Sequence, residues 1–310
     1  MNYSKPPLSI ADQIGKLKAR GLSFSCENQA AHYLSNISYY RLRAYTYPFQ
    51  DNGNPDHPFI RPLDFNDIIN LYVFDRRLRF IVFNALEKVE IALRTKIVYE
   101  MSLIYGSHWH ENESLFTNPV FFNMNKEAVE KEINRSKEDF ITHYYRNYDN
   151  PQHPPCWMSL EVVSMSLLSQ IFSNIRELDA KQRILSAFGH KRFDILKSWI
   201  HAFVGLRNVC AHHGRLWNRR FTISPTLPYN MPHQFLNNRN IPFNKLYALL
   251  CCLNYTLRIV SPGSHFVSSL KEHLRTCPLA ELHHMGFPQG WEDEPLWSSQ
   301  HDFVPLNANH

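Results

Sequence analysis

Glycine is scarce, with 10 residues in 310. No glycine-rich phosphate loop, dinucleotide fingerprint or nucleophile elbow can be found among them, which argues against an NTPase, a Rossmann enzyme or a serine hydrolase. Long apolar runs are also missing. The longest, Leu246 to Leu253, falls well short of the roughly 20 residues that cross a bilayer. The opening "MNYSKPPLS" lacks the apolar stretch of a secretory signal. These two absences predict a cytoplasmic protein. The six cysteines, at 26, 156, 210, 251, 252 and 277, form no C-x-x-C pair, so neither a disulfide framework nor a cysteine-rich zinc site is expected. Strong charge is lacking too. The net +5 permits acidic partners without demanding them, although arginine outnumbers lysine and suits bidentate phosphate contacts.

What remains is helical spacing. Strand-like alternation is weak, whereas apolar residues recur at three and four positions over long segments, the mark of an all-α fold. Helices are expected from about Ile10 to Arg20, stopped by Gly21, and from about Glu27 to Leu34. The stretch "SYYRLRAYTYPF" alternates aromatics and reads as a strand or extended turn. "DNGNPDHPFIRP" then gives the clearest boundary. A long spine helix follows over about Asp67 to Tyr105, with Ile68, Leu71, Leu78, Val82, Ala85, Val89, Leu93 and Ile97 near one face, Asp75 interrupting the stripe and Gly106 ending it. A polar helix at about Lys126 to Tyr145 and helices at about 158–177, 179–188, 193–213 and 242–260 complete the pattern. The expected organisation is an N-terminal subdomain at 1–60, a helical domain at 64–262 and an irregular tail at 263–310 packed on it.

On the helix at 193–213, Leu196, Trp199, Phe203, Leu206 and Cys210 are spaced 3, 4, 3 and 4 and form one buried stripe. At about 100° per residue Arg207 falls on its flank, Asn208 further round and His212 nearly opposite. Asn208 and His212 are an i, i+4 pair, and Gly214 supplies a stop signal. The pairs Arg146/His153, Arg183/His190 and Arg258/His265 show that such a spacing arises by chance, but each of those spans a proline or glycine. Only Arg207 and His212 share one continuous helix. One reading is structural, with Arg207 packed beside the core while His212 and His213 complement the negative end of the helix dipole. The other is RNA cleavage without a metal. A histidine moves the proton of the 2′-hydroxyl or leaving group, an arginine neutralises the charge growing on the phosphate, and Asn208 orients the imidazole or hydrogen-bonds the phosphate.

The string R-N-x-x-x-H on a long helix of an all-α domain resembles the HEPN superfamily. The wider sequence is similar to the Abi-like (AbiD/AbiF) abortive-infection proteins of bacteria, in "LSNISYYRLRAYTYPF", "FNDIINLYVFDRRLR", "LEKVEIALRTKI", "YGSHWH", "PPCWMSLEVVSMSLLSQIF", "WIHAFVGLRNVCAHHGRLWNR" and "MGFPQGWEDEPLW". The resemblance implies a HEPN ribonuclease fold and a role in phage defence, and it maps the family's catalytic pair onto Arg207 and His212, with Asn208 as the polar neighbour. Because one helix offers only one acid or base, a homodimer whose two Arg–His sets face a shared cleft is expected. An activity of this kind is toxic unless restrained, so an antitoxin protein or regulatory RNA is an expected partner. Members of the superfamily also bind RNA without cutting it, and that is the alternative reading.

Further candidates are weaker. Tyr39, Tyr40, Arg41 and Arg43 interleave aromatic and basic side chains in a manner that suits RNA docking. Arg76 and Arg77 of "DRRLR" form a second basic cluster. Glu90 and Arg94 are spaced for an i, i+4 ion pair and, with His213, are candidates for a supporting role. "HWHENE" places His108 and His110 near Glu111 and Glu113 without an H-E-x-x-H pattern or a third spaced ligand. No metal or cofactor is expected, and neither DNA nor a membrane is an expected partner.

Overall fold

The computed structural model describes residue 2 and residues 6–298. The last part of the expected tail, 299–310, and most of "MNYSK" lie outside the described residues. The chain is all-α: among the described residues thirteen α-helices accompany one parallel pair of two-residue strands, β1 (Leu22–Ser23) and β2 (Leu63–Asp64). The spine is α4 (Phe65–Tyr105), 41 residues or about 60 Å at 1.5 Å per residue. Its start is fixed by a capping box in which the Asp64 side chain accepts from Asn66 N and the Asp67 carboxylate accepts from Asp64 N, satisfying donors a helix end leaves open. Gly106, at φ +83, ends it. All eight residues of the predicted stripe are buried.

Two apolar clusters meet along this spine. Its N-terminal half packs with α1 (Ile10–Ala19), α2 (Glu27–Ile37), α10 (Phe193–Ala211), α11 (Leu246–Val260) and α12 (Phe266–Leu274). Its C-terminal half packs with α5 (Pro119–Arg135), α6 (Asp139–Asn147), α8 (Met165–Asn174) and α9 (Asp179–Ala187). Helix α11 is buried on every side from Leu246 to Leu257, as expected of a helix apolar all round. No described helix is long and apolar enough to cross a membrane.

Three expectations need correction. "SYYRLRAYTYPF" is not extended. It forms α3 (Tyr39–Thr46) and a 3-10 turn at Tyr47–Phe49, because Leu42, Tyr45 and Phe49, spaced 3 and 4, point inward while Tyr40 and Tyr47 face solvent. The polar helix at 126–145 is two helices, α5 and α6. Asn118 caps α5 ahead of Pro119, and Ser136 closes it by donating its backbone N–H to Glu132 O and Ile133 O. The helix expected at 158–177 is likewise split into a short α7 (Cys156–Ser159) and α8, which starts only where the Ser164 side chain accepts from Leu167 N.

Candidate active site at the end of helix α10

The stripe of α10 is buried as spaced: Leu196, Trp199, Phe203, Leu206 and Cys210 are all in the core. Its polar residues lie elsewhere. The Arg207 side chain is 33% exposed and its Nε lies 3.5 Å from Glu90 Oε2 on α4. Nε makes no hydrogen bond, so the contact is electrostatic, and the guanidinium also lies 6.0 Å from the Phe83 ring. Glu90 is shared, since its Oε1 is 3.5 Å from Arg94 Nη2. Arg94 itself is buried and donates to the carbonyls of Leu160 and Val163. Its work is therefore to hold the turn before α8, and Glu90 is the residue of this pair that reaches Arg207.

Helix α10 ends in a left-handed turn. Gly214 N donates to Val209 O at 2.8 Å and His213 N to Cys210 O at 3.1 Å, the two bonds of a Schellman motif. The residue at the left-handed position is His213, φ +56, not the glycine that the sequence suggests. Gly214 is needed for closeness instead: a Cβ there would meet Val209 Cγ1 at 3.0 Å and Val209 O at 3.1 Å. His213→Gly is thus expected to be neutral or stabilising by up to about 1 kcal/mol, and His213→Val to cost about 1–2 kcal/mol, since a β-branched residue tolerates positive φ poorly. Urea unfolding of the two variants would check this. His212 and His213 are both exposed and Asn208 is half-buried one turn before His212, whose backbone N–H donates to Asn208 O at 3.0 Å.

The turn is gripped from behind. Arg41 Nη1 donates to His213 O at 2.9 Å and Arg79 Nη1 to Gly214 O at 3.3 Å, while Arg215 donates to Ala44 O. Asp75 accepts from Leu216 N at 3.0 Å, Trp217 N at 2.6 Å, the Tyr45 hydroxyl at 2.7 Å and Arg79 Nη1 at 2.5 Å. Burial pushes the Asp75 carboxyl up, against the pull of Tyr45, Trp217 N–H and Arg79. Burial first, then the Asp75 carboxylate, raises the Tyr45 phenol, which keeps it a donor. The residue that reads as an interruption of the α4 stripe is the anchor of the site-bearing turn.

A family model described as Abi-like protein matches residues 32–218, from α2 to the end of this turn and more than half of the chain. The chain belongs to the Abi-like family. No curated protein and no solved structure matches it.

In this Abi-like chain the remaining candidates divide. Tyr40 is 85% exposed and Arg41 is exposed, while Tyr39 and Arg43 are half-buried. The Tyr39 hydroxyl accepts from Arg20. Arg76 and Arg77 are exposed, with Arg76 lying 5.9 Å from the Phe80 ring, but Arg79 of the same cluster is consumed by Asp75. The "HWHENE" stretch brings no three metal-ligating groups together among the described residues. Glu111 instead pairs with His153 at 2.6 Å, and His108 Nε2 bonds His153 O at 3.0 Å. His110 is buried, which pushes its imidazole down to about 4. Of the cysteines only Cys26 is exposed, and burial drives the Cys210 thiol up to about 12, so it is inert at neutral pH. Sequence reasoning missed Asp75, Arg79 and Tyr45 as site-building residues. The signal was a charge placed within an apolar stripe.

Proposed function

We propose that this protein is a HEPN-type endoribonuclease that acts as an effector in abortive infection, cleaving RNA by attack of the 2′-hydroxyl on the adjacent phosphate. Membership of the Abi-like family supports the biological setting. The observation that carries the chemistry is the end of α10, where an exposed His212 one turn from Asn208 shares the last turns of the helix with a partly exposed Arg207 that lies 3.5 Å from Glu90. In the proposed reaction the 2′-oxygen bonds to phosphorus, the 5′-oxygen leaves with a proton, and a 2′,3′-cyclic phosphate remains. His212 moves protons and Arg207 neutralises the charge gathering on the phosphoryl oxygens, steps that require no metal.

A single helix provides one imidazole for a reaction that needs both an acid and a base. A homodimer would supply the second. Helix α4, which carries the Glu90 that contacts Arg207, presents Phe80 and Ile91, about three turns apart, at 64% and 58% exposure, apolar surface suited to a second copy. Tyr40, Arg41, Arg76 and Arg77 are the proposed RNA docking residues, and a regulatory RNA or an antitoxin protein is the proposed restraint.

The test is to incubate purified protein with total cellular RNA, with and without excess chelator, and to sequence cyclic-phosphate ends for wild type and His212→Ala. Discrete ends found only with wild type, and surviving chelation, are expected. Retained RNA affinity with no ends above the His212→Ala background would overturn cleavage in favour of a protein that binds RNA without cutting it.

A further inference from the structure

We propose that Glu281, His283 and His284, in the segment following α12, form a zinc site. Their ligand atoms lie within 4.8 Å of one another: Glu281 Oε2 is 3.6 Å from His283 Nδ1 and 3.7 Å from His284 Nε2. Four ligands placed tetrahedrally about 2.0–2.1 Å from zinc are separated by about 3.3–3.4 Å. Both glutamate–histidine separations are therefore within a few tenths of an ångström of coordination, and rotation of one imidazole would bring the two histidine nitrogens, no more than 4.8 Å apart, to the same spacing. The two imidazole rings are 4.1 Å apart and inclined at 36°, converging on one carboxylate oxygen.

The site is braced by its surroundings. The other carboxylate oxygen, Glu281 Oε1, accepts from Arg61 Nη1 at 3.2 Å, which fixes the carboxylate and leaves Oε2 for a metal. The His284 ring meets Trp217 edge to face at 5.7 Å. Its backbone carbonyl accepts from Lys245 Nζ at 2.9 Å, and the same amine donates to Asn218 Oδ1 at 3.1 Å. The Arg61 bond orients a ligand group directly, and partners of that kind strengthen a metal site, while Trp217 and Lys245 fix the ring and backbone of His284. The 3-10 turn Leu282–Met285 is closed by Gly286 at φ +87, where a Cβ would meet Lys245 Cβ at 2.6 Å, so the turn that presents both histidines has little room to change shape.

Two imidazoles and one carboxylate select zinc over calcium or magnesium, which take oxygen ligands. Three protein ligands leave the fourth position to water, and the 67% exposed His283 side chain gives the ion a route in. The cations of Arg61 and Lys245 oppose a dipositive ion, and the Glu281 carboxylate, already paired with Arg61, supplies the negative charge that offsets them. Bound zinc would join the C-terminal segment to the linker before β2, through Arg61, and to the turn after α10, through Trp217. It would act as a clamp on the fold, and this role is independent of the nuclease reading.

Untagged full-length protein would be titrated with zinc chloride in competition with a chromophoric chelator, using the His212→Ala background so that RNA chemistry plays no part. One zinc per chain is expected. His283→Ala and Glu281→Gln should each weaken binding at least about 10-fold, whereas His201→Ala, an exposed histidine on α10, should leave it unchanged. Zinc should also raise the melting temperature by a few degrees in the parent and not in the two site variants. Absence of zinc binding, or binding undiminished in both variants, overturns the proposal. Because His283 is mostly exposed, its replacement leaves the packing intact.

Discussion

Asp75→Ala should lower the melting temperature by about 10 °C or more, or yield no folded protein at all. The side chain is fully buried and receives Tyr45, Arg79 and two consecutive backbone amides. Arg79 is itself 6% exposed, so truncation leaves a buried guanidinium without its counterion. Breaking a buried pair from one side costs about 3–5 kcal/mol, and each donor left orphaned in the interior adds about 1–3 kcal/mol, though not additively. Against a total stability of about 5–15 kcal/mol, that is most of the margin, and about 2–4 °C per kcal/mol turns it into the shift quoted. Asp75→Asn keeps an acceptor for the backbone amides and should fall between the two. A thermal melt followed by circular dichroism decides the matter: Asp75→Ala melting within about 2 °C of wild type would refute the anchor role.

This prediction also marks the limit of what the sequence discloses. Helices α4 and α10 are legible because their apolar residues keep the 3.6-residue period along the whole length, and the stripes named from that period are buried residue for residue. The identity of Asp75's partners is not legible, since Trp217 lies 142 positions away and no local pattern connects the two. Helix α3 was misread because tyrosine serves both environments. An aromatic that alternates in sequence looks like a strand until a neighbour, here Trp217 stacked against Tyr45 and Phe49, decides which rings go inside. At the candidate site the polar set Arg207, Asn208 and His212 could be placed on one helix end, and the Glu90–Arg94 pair followed from i, i+4 spacing. Two things could not be foreseen: that Glu90 also reaches Arg207, and that His213 rather than a glycine takes the left-handed position.

The Glu90 contact leads to the second large effect. On the proposed nuclease reading, Arg207→Ala should reduce cleavage by about 10²–10³-fold, the scale seen when one preorganised charge-stabilising group is removed. Folding should be nearly unaffected, because the side chain is one-third exposed and makes a 3.5 Å electrostatic contact rather than a hydrogen bond. Arg207→Lys should restore only part of the rate: an ammonium keeps the charge but loses the planar fork that matches a phosphate. Glu90→Gln separates positioning from charge. It leaves Arg94 on the Leu160 and Val163 carbonyls and frees Arg207 from its counterion, so the rate should fall by about 10-fold and the loss should be in kcat more than in KM. In the Arg207→Ala background the same change should have little further effect, because a residue that acts through Arg207 has nothing left to orient. Single-turnover cleavage of a short labelled RNA across a range of protein concentrations, by wild type and the four variants, measures this directly. Wild-type rates for Arg207→Ala would remove Arg207 from the chemistry, and undiminished sensitivity to Glu90→Gln in its absence would assign Glu90 a purely structural part.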